Sequence, residues 1–347
     1  MNRDALSAHN TEGRTPDYGY VNGLQIDRHI YGGEPSHTKH TIAYEETYNT
    51  LTLPEHTPQY ETVTSKLGNA ALEWIHVRSA QDTGTVNIVL MGWAGDNEND
   101  ITQNGLRYHV AHNPHAHIIH INNPAHGNSS RLPRSMSKHI AKTGHFAPQG
   151  ELHAQLINEA LKDYDEVNIS GHSYGGRQAL ALAAALDQPV DNIHLFDPPG
   201  SRNLGGLAGI GKAFMTLEGK HAGLYGQHAP DQSAAAIQSQ GDSTPLQDIL
   251  RLIKRRGFSQ QFFDQTAAMS KAGLEHDLAL ACRNVRDTVR FTSPELSELN
   301  YVSSVSDILD RIATADRLIQ HDIVTRHTHS MIASNPNILA YLHRSGA

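Results

Sequence analysis

Ser173 lies at the centre of a Gly-x-Ser-x-Gly pentapeptide, residues 171–175, which can hold a serine hydroxyl on a sharp turn. A short run that includes Val167 and Ile169 precedes the pentapeptide, and an Ala- and Leu-rich segment with helical character follows it. A turn of this kind between a strand and a helix exposes the serine above the end of a sheet. Glycines are needed at 171 and 175 because a side chain there would collide with the neighbouring strand or helix. The pattern predicts that Ser173 is a nucleophile.

A serine hydroxyl is a weak nucleophile until a general base takes its proton, and a carboxylate orients that base. In a parallel sheet, ligands lie outside the carboxyl ends of the strands, so the partners of Ser173 should follow later strands. Asp307 follows a predicted strand at 299–305, and His329 follows a predicted strand at 322–325. We therefore expect His329 to be the base and Asp307 to be the acid that orients it.

Two other aspartates compete with Asp307. Asp310 lies three residues further on, where a helix should already have begun. Asp197 follows a predicted strand that ends at Phe196, and its position before two prolines favours a structural role in a turn. The sequence favours Asp307 over both.

The negative charge that develops on an ester oxygen requires backbone donors aimed at that oxygen. The predicted strand 86–91 ends in the turn Gly-Trp-Ala-Gly, residues 92–95, whose amides could point inward. We expect the backbone N–H groups of Trp93 and Tyr174 to form this oxyanion hole. Trp93 and His172 are also the candidate substrate-pocket residues, although the Trp93 ring could equally pack on the core, and His172 is expected to support the turn.

The elements that must position these residues alternate between strand and helix, which predicts a parallel sheet. The alternation is interrupted between residues 200 and 290 by a Gly-rich stretch and helical segments, and it resumes at 299. The predicted strands are 70–77, 86–91, 117–121, 167–169, 193–196, 299–305 and 322–325. The predicted helices are 150–164, the segment after Ser173 to about 186, 246–254, 262–289, 308–318 and 337–342.

These segments resemble the α/β-hydrolase superfamily, in the form of an esterase-like or lipase-like serine hydrolase with a helical cap. Residues 118–130 resemble an apolar strand followed by Asp-x-Pro-Gly-His-Gly-x-Ser, with Asn122 and Ala125 in place of the Asp and the first Gly. Residues 171–176 match the nucleophile turn, residues 302–307 resemble the strand that delivers the acid, and residues 329–336 resemble the catalytic-histidine loop.

Comparison with the family's histidine loop also favours one of three candidate bases. A proline follows His329 by seven residues, as in the family, and this offset favours His329 over His321 and His327. Two positions depart from the family pattern: Thr328 replaces a glycine, and Met91 replaces the histidine that usually opens the oxyanion loop. Backbone donors need no particular side chain, so the second change is compatible with activity.

The resemblance implies a mostly parallel central sheet flanked by helices, with a helical cap inserted in it. We expect a loop-rich N-terminal arm at 1–60, a core at 61–200 and 299–347, and the cap at 201–298. The implied reaction is hydrolysis of a carboxylic ester, or a thioester, through an acyl-enzyme formed on a small-molecule acyl substrate. Acyl transfer by the same residues is one alternative, and a non-catalytic binding protein with this fold is another.

Composition excludes several other classes of protein. The formal charge is −8 and the isoelectric point is near 6.3, which argues against a nucleic-acid partner. No apolar segment is long enough to span a membrane, so we expect no membrane association. The chain has 1 cysteine, Cys282, which excludes an internal disulfide and favours the cytoplasm. The oligomeric state stays open.

No cofactor and no metal are expected. The histidines at 112, 115, 117 and 120 form the one tract that suggests a metal site, and His115 and His117 would share a strand face. No carboxylate or cysteine joins them at the spacing of metal ligands. The glycine pairs at 32–33 and 205–206 lack the strand and helix context of a dinucleotide site.

Overall fold

The computed structural model describes much of the chain. The described residues are 24–32, 40–44, 58–79, 84–93, 97, 103, 106–107, 109–111, 113–213, 260–314, 317–325 and 327–329. The predicted helices 246–254 and 337–342, and residues 94–95 of the predicted oxyanion turn, lie outside them.

Ten strands in the described ranges form one sheet, in the order β2-β1-β10-β9-β8-β7-β5-β6-β4-β3. Strands β5 to β10 run parallel to one another at the centre, and the outer strands pair antiparallel. The strands are β1 Leu24–Tyr31, β2 His40–Tyr44, β3 Glu61–Leu67, β4 Ala70–Val77, β5 Thr85–Leu90, β6 His117–Ile121, β7 Glu166–His172, β8 Val190–Phe196, β9 Val285–Pro294 and β10 Ile319–Val324.

Helices pack on this sheet. They are α1 Arg134–Thr143, α2 Ala147–Leu161, α3 Tyr174–Ala185, α4 Leu207–Lys212, α5 Gln260–Met269, α6 Leu274–Ala281 and α7 Val302–Ile312. In β5, Ile88 and Leu90 belong to the main apolar cluster, whereas Val89 belongs to a smaller one. Because successive side chains point to opposite faces of a strand, the sheet buries both of its faces. Among the described residues, no helix combines the length and the apolar character that crossing a membrane requires.

The mostly parallel sheet flanked by helices is confirmed. Two strands, β4 and β6, have the predicted bounds, and the predicted strand and helix around Ser173 are present as β7 and α3. The burial of all five residues of β6 explains why this strand reads as a continuous apolar run.

The predicted strand at 299–305 is wrong, because most of this segment belongs to helix α7. Its buried apolar residues include Val302, Val305 and Leu309, which are spaced at i, i+3 and i+7. This spacing forms one face of a helix, whereas a half-buried strand requires alternation at every second residue.

The expected cap range, 201–298, contains a strand of the central sheet. Strand β9 lies between β8 and β10 and pairs parallel with both of them. Residues 285–294 are therefore part of the core, and the predicted cap extends too far. Of the remaining range, the structure describes α4, α5 and α6 but not residues 214–259.

Two strands come from residues 1–60, which were expected to be a loop-rich arm. Strand β1 pairs antiparallel with β10, and β2 pairs with β1 at the edge of the sheet. The Arg28 Nε atom lies 2.8 Å from Asp322 Oδ1, and Arg290 Nε lies 2.7 Å from Asp322 Oδ2. The buried Asp322 carboxylate thus binds the N-terminal segment to two core strands.

Helix α3 is fixed at its first turns by a buried ion pair. Arg177 is fully buried, and its Nη2 atom lies 2.7 Å from Asp277 Oδ2 in α6. The same guanidinium donates to the carbonyl of Pro199 at 2.9 Å and to that of Gly144 at 2.5 Å. The pair therefore connects α3, α6 and two loops next to the turn that carries Ser173.

Arg177→Met should destabilise the protein by about 3–5 kcal/mol, because it leaves the Asp277 carboxylate buried without its counter-ion. Urea unfolding followed by circular dichroism measures this change. Arg311→Met is the matched control, since Arg311 pairs with Glu275 at the surface, where loss of an ion pair costs about 0–1 kcal/mol. Equal stability losses in the two variants would contradict the assignment.

Several histidines are buried and are therefore held in the neutral form. Burial lowers the pKa of His153 and of His120 to about 4, and that of His321 to about 3. An unfolded chain binds protons at these histidines near pH 6.5, but the folded chain does not. The stability that these histidines contribute by staying neutral is therefore fully present above pH 6.5 and is lost as the pH falls toward 4.

His153→Leu should make the protein less sensitive to acid. Between pH 7 and pH 5, one histidine with this lowered pKa accounts for about 2 kcal/mol of lost stability, at about 1.4 kcal/mol per pKa unit. The decrease in unfolding free energy over this pH interval should be smaller by that amount in the variant. His139→Leu, at an exposed position of α1, should behave like the parent protein. An unchanged decrease in His153→Leu would exclude His153 as a source of the acid sensitivity.

Candidate active site

Ser173 lies on the turn between β7 and α3. Its backbone has φ 55° and ψ −124°, a conformation that residues with a side chain rarely adopt. The Ser173 N–H donates to the carbonyl of Phe196 at 2.8 Å, and the Ser173 carbonyl accepts from Gly176 N–H at 2.9 Å. These bonds hold the strained turn in place and set the hydroxyl at the carboxyl end of the parallel strands.

The glycines on either side of Ser173 are required by close backbone contacts. A Cβ atom at Gly171 would lie 2.4 Å from the carbonyl oxygen of Gly175. A Cβ atom at Gly175 would lie 2.2 Å from the carbonyl oxygen of Leu90, the last residue of β5. Both positions therefore require glycine for the steric reason that the sequence predicts.

His329 contacts Ser173, as the sequence predicts. The His329 Nε2 atom lies 2.9 Å from Ser173 Oγ, and both side chains are buried. His329 follows β10, whose carboxyl end is at the same edge of the sheet as that of β7. The competing histidines lie elsewhere: His321 within β10 contacts Ser293, and His327 contacts the carbonyl of Thr325.

The acid beside His329 is Asp197, and not Asp307 as expected. Asp197 Oδ2 lies 2.7 Å from His329 Nδ1, so the Nδ1–H donates to the carboxylate and Nε2 is left to accept from the Ser173 hydroxyl. Asp197 also accepts from Ser297 Oγ at 2.5 Å and from Asn300 Nδ2 at 2.7 Å. Asp197 is completely buried and directly follows β8, the strand next to β7.

Asp307 cannot reach His329 because it is exposed on the outer side of α7. It lines a surface pocket together with Glu275 and Arg311, and Asp310 is exposed on the same helix. The sequence did contain a signal for Asp197, since this residue follows a strand end next to the nucleophile strand. Its positive φ of 43° and the following prolines fit a turn, but a turn residue at this sheet edge can also orient a base.

His172 packs directly against His329. Their rings are stacked, with centroids 4.9 Å apart and an interplanar angle of 26°. Burial, and then the neighbouring His329, lower the pKa of His172 to about 3. His172 is therefore a neutral ring that packs against the base.

The two candidate oxyanion donors belong to different parts of the fold, α3 and the segment that follows β5. Tyr174 is the first residue of α3, where a backbone N–H has no partner within the helix. Trp93 follows β5, and no partner for its backbone N–H lies within the described ranges. The partly buried Trp93 ring packs against Phe262 of α5, with centroids 4.6 Å apart. It belongs to an apolar cluster around Tyr174, so it both packs against the core and borders the site.

The described histidines of the tract that suggested a metal site include two, His117 and His120, that contact different residues. The His117 ring packs against His76 and Tyr164, with centroids 5.6 and 5.2 Å apart. His120 Nδ1 lies 2.6 Å from Asn97 Oδ1. His112 lies outside the described residues.

A different cluster brings possible ligand atoms within 4.8 Å of one another among the described residues. It consists of His145, His276 and Asp277. The Asp277 carboxylate is the counter-ion of the buried Arg177, which accounts for its position.

Comparisons with known proteins agree with this architecture. A family model described as alpha/beta hydrolase fold matches residues 88–224, which include the end of β5, strands β6 to β8 and the turn with Ser173. No curated protein sequence matches the chain.

Solved structures of similar fold include three different hydrolases. An N-formylmaleamic acid deformylase from Pseudomonas putida is 14% identical, with 81% of this chain and 100% of that chain covered and a TM-score of 0.51. A thioesterase domain from the curacin biosynthetic pathway is 15% identical, with coverages of 82% and 99% and a TM-score of 0.50. An epoxide hydrolase without ligand is 13% identical, with coverages of 82% and 96% and a TM-score of 0.50.

At these identities the structural matches establish the fold alone. Together with the family match, they confirm the resemblance to the α/β-hydrolase superfamily. The chain therefore has the α/β-hydrolase fold.

Proposed function

We propose that this protein is a serine hydrolase that cleaves a carboxylic ester or a thioester. The observation that carries the proposal is the continuous chain of hydrogen bonds from Ser173 Oγ to His329 Nε2, at 2.9 Å, and from His329 Nδ1 to Asp197 Oδ2, at 2.7 Å. A nucleophile, a base and an orienting carboxylate in this order form a catalytic triad. The strained turn under Ser173 supports the same role.

In the proposed reaction, Ser173 Oγ attacks the acyl carbonyl while His329 Nε2 takes the hydroxyl proton. The tetrahedral intermediate carries a negative oxygen, which accepts hydrogen bonds from the backbone N–H groups of Trp93 and Tyr174. Asp197 keeps the Nδ1–H tautomer of His329 and stabilises the imidazolium that forms. The protonated His329 then gives its proton to the leaving alcohol or thiol, and the acyl-enzyme remains on Ser173.

Water completes the cycle in the second half of the reaction. His329 removes a proton from a water molecule as that water attacks the acyl-enzyme, and a second tetrahedral intermediate uses the same backbone donors. Collapse of this intermediate returns the proton to Ser173 and releases the carboxylic acid. Neither half requires a metal ion or a cofactor to balance its protons.

The surroundings of the site favour an apolar acyl group. The cluster that includes Tyr174 and Trp93 contains apolar residues of α1, α4 and α5. Phe262 adds an aromatic face beside Trp93. We therefore propose a small-molecule acyl substrate whose hydrocarbon part packs beside the Trp93 and Phe262 rings.

A fluorophosphonate probe tests the proposal directly, because it modifies only a serine that a base has activated. We expect stoichiometric labelling, with the added mass on the peptide that contains Ser173. Labelled protein should lose turnover of p-nitrophenyl esters, and a series of acyl chain lengths and thioesters should define the preferred substrate. A folded protein that is not labelled would exclude the hydrolase function and favour a binding protein.

Acyl transfer would use the same residues and gives the same labelling. Product analysis separates the two reactions, because a hydrolase releases the free acid even when an alcohol or amine is present. Predominant formation of the new ester or amide would assign the protein to acyl transfer instead.

A further inference from the structure

The peptide group between Gly92 and Trp93 lies directly beside the nucleophile. A Cβ atom at Gly92 would be 3.0 Å from His172 Nδ1 and 3.4 Å from Ser173 Cβ. The N–H of this peptide group belongs to Trp93, the candidate oxyanion donor that follows β5. Its direction therefore decides whether the site can stabilise a negative oxygen on the carbonyl that Ser173 attacks.

Asn123 holds the opposite end of this peptide group. Its Nδ2 atom donates to the carbonyl oxygen of Gly92 at 2.9 Å, and its side chain is buried. A trans peptide is planar, so its C=O and N–H point in opposite directions. A bond that fixes the Gly92 carbonyl thus also fixes the direction of the Trp93 N–H. Without such a bond, glycine offers little resistance to rotation of the peptide group.

The Asn123 amide is itself held by a chain of buried amides. Its Oδ1 atom accepts from Gln178 Nε2, and Gln178 Oε1 accepts from Gln149 Nε2 at 2.5 Å. Gln149 Oε1 accepts from the Tyr174 hydroxyl at 3.1 Å. The Gly92 carbonyl can only accept, and this one constraint sets the orientation of each amide in turn. Every bond of the chain therefore runs in the same direction, from Tyr174 to Gly92.

This chain connects the two candidate oxyanion donors. It begins on the side chain of Tyr174 and ends on the peptide group that carries the Trp93 N–H. Its asparagine and both glutamines are almost completely buried, and none of the three ionises. Hydrogen bonds that run in one direction inside a protein strengthen one another, so the chain is a rigid support.

We propose that Asn123 is a positioning residue that directs the Trp93 N–H toward the carbonyl oxygen of the substrate, and that Gln178 and Gln149 keep Asn123 in place. This role rests on the proposed hydrolase function. Asn123 occupies the variable position x of the Asp-x-Pro-Gly-His-Gly segment, for which the resemblance implies no role.

Asn123→Leu and Asn123→Asp test the role. A leucine side chain has no polar hydrogen, and an ionised aspartate has only acceptor oxygens, so neither can donate to the Gly92 carbonyl. We expect each to lower kcat for a p-nitrophenyl ester by about 10²-fold, the effect of losing one oxyanion donor. KM should stay within about threefold, because the donor acts mainly in the transition state. The Ki of an alkylboronic acid, which forms a tetrahedral adduct on Ser173, should rise by a factor similar to the loss of kcat.

Two readouts separate positioning from a general structural effect. The pH midpoint of kcat/KM should not change, because the bonds between His329, Asp197 and Ser173 are untouched. Gln178→Leu should have a smaller effect, under about tenfold, because Asn123 keeps its bond to Gly92. Asn192→Leu is the matched control: Asn192 bonds to Asn168 at 2.8 Å in the same sheet, and its loss should leave kcat unchanged.

The outcomes distinguish this role from the proposed function. If the parent protein is neither labelled by the fluorophosphonate nor active on esters, the hydrolase proposal fails. If the parent is active and both Asn123 variants keep its kcat, or change only KM, the positioning role alone is overturned. Unfolding of both variants in thermal melts would assign Asn123 to stability and would also overturn the positioning role.

Discussion

Ser173→Ala is expected to lower kcat for ester hydrolysis by about 10⁶-fold, because the proposed acyl-enzyme cannot form without the hydroxyl. The His329–Asp197 pair and the backbone donors remain, so residual hydrolysis over the rate in water should persist. Turnover of p-nitrophenyl esters and labelling by the fluorophosphonate measure the loss. Full turnover in this variant would show that another residue is the nucleophile.

Ser173→Gly separates the chemistry of this position from its strain. Both substitutions remove the hydroxyl, so both variants should show the same large loss of kcat. Only glycine adopts φ 55° with ψ −124° without strain, so Ser173→Gly should be more stable than Ser173→Ala by about 1–3 kcal/mol. A difference in thermal midpoint measures this strain, and equal midpoints would show that the turn does not constrain its central residue.

Asp197→Asn should lower kcat by about 10⁴-fold, because an amide can stabilise the wrong tautomer of His329 and cannot stabilise its cation. The substitution preserves the size of the side chain and its place among Ser297 and Asn300. Steady-state kinetics and the rate of fluorophosphonate labelling measure the loss. Circular dichroism and the thermal midpoint report whether the fold is intact.

Asp307→Asn is the control that distinguishes the structural assignment from the prediction made on the sequence. Asp307 is exposed on α7, so this variant should keep the kcat and KM of the parent protein. A large loss of kcat in Asp307→Asn, with full activity in Asp197→Asn, would reverse the assignment of the acid.

The nucleophile turn could be predicted because its geometry depends on a few neighbouring residues. Gly171 and Gly175 are required by contacts within the turn and with the end of β5, and these contacts recur wherever a strand turns sharply into a helix. His329 could be predicted because its place after the last predicted strand and its following loop are features of the local sequence. The parallel sheet also followed from the alternation of strands and helices.

The errors have an equally physical cause. The segment around Val302 and Val305 is short and apolar, and periodicity over so few residues does not separate a strand from the buried face of a helix. Strand β9 was expected in the cap because residues 262–289 were predicted to be helical. Its Arg290 side chain is buried because Asp322 of the neighbouring strand neutralises it, and the sequence of β9 does not contain that partner.

The sequence by itself determined that Ser173 is placed on a strained turn at the end of a parallel sheet, with His329 as its partner, because these features arise from local sterics and strand order. Only the tertiary structure decided that Asp197 orients His329 and that Asn123 supports the Trp93 peptide group. Hydrogen bonds between these residues join segments that lie far apart along the chain, such as 197 with 329 and 92 with 123. Which of several polar residues meet at the sheet edge depends on how β8, β10 and the loops pack, and no local pattern specifies that packing.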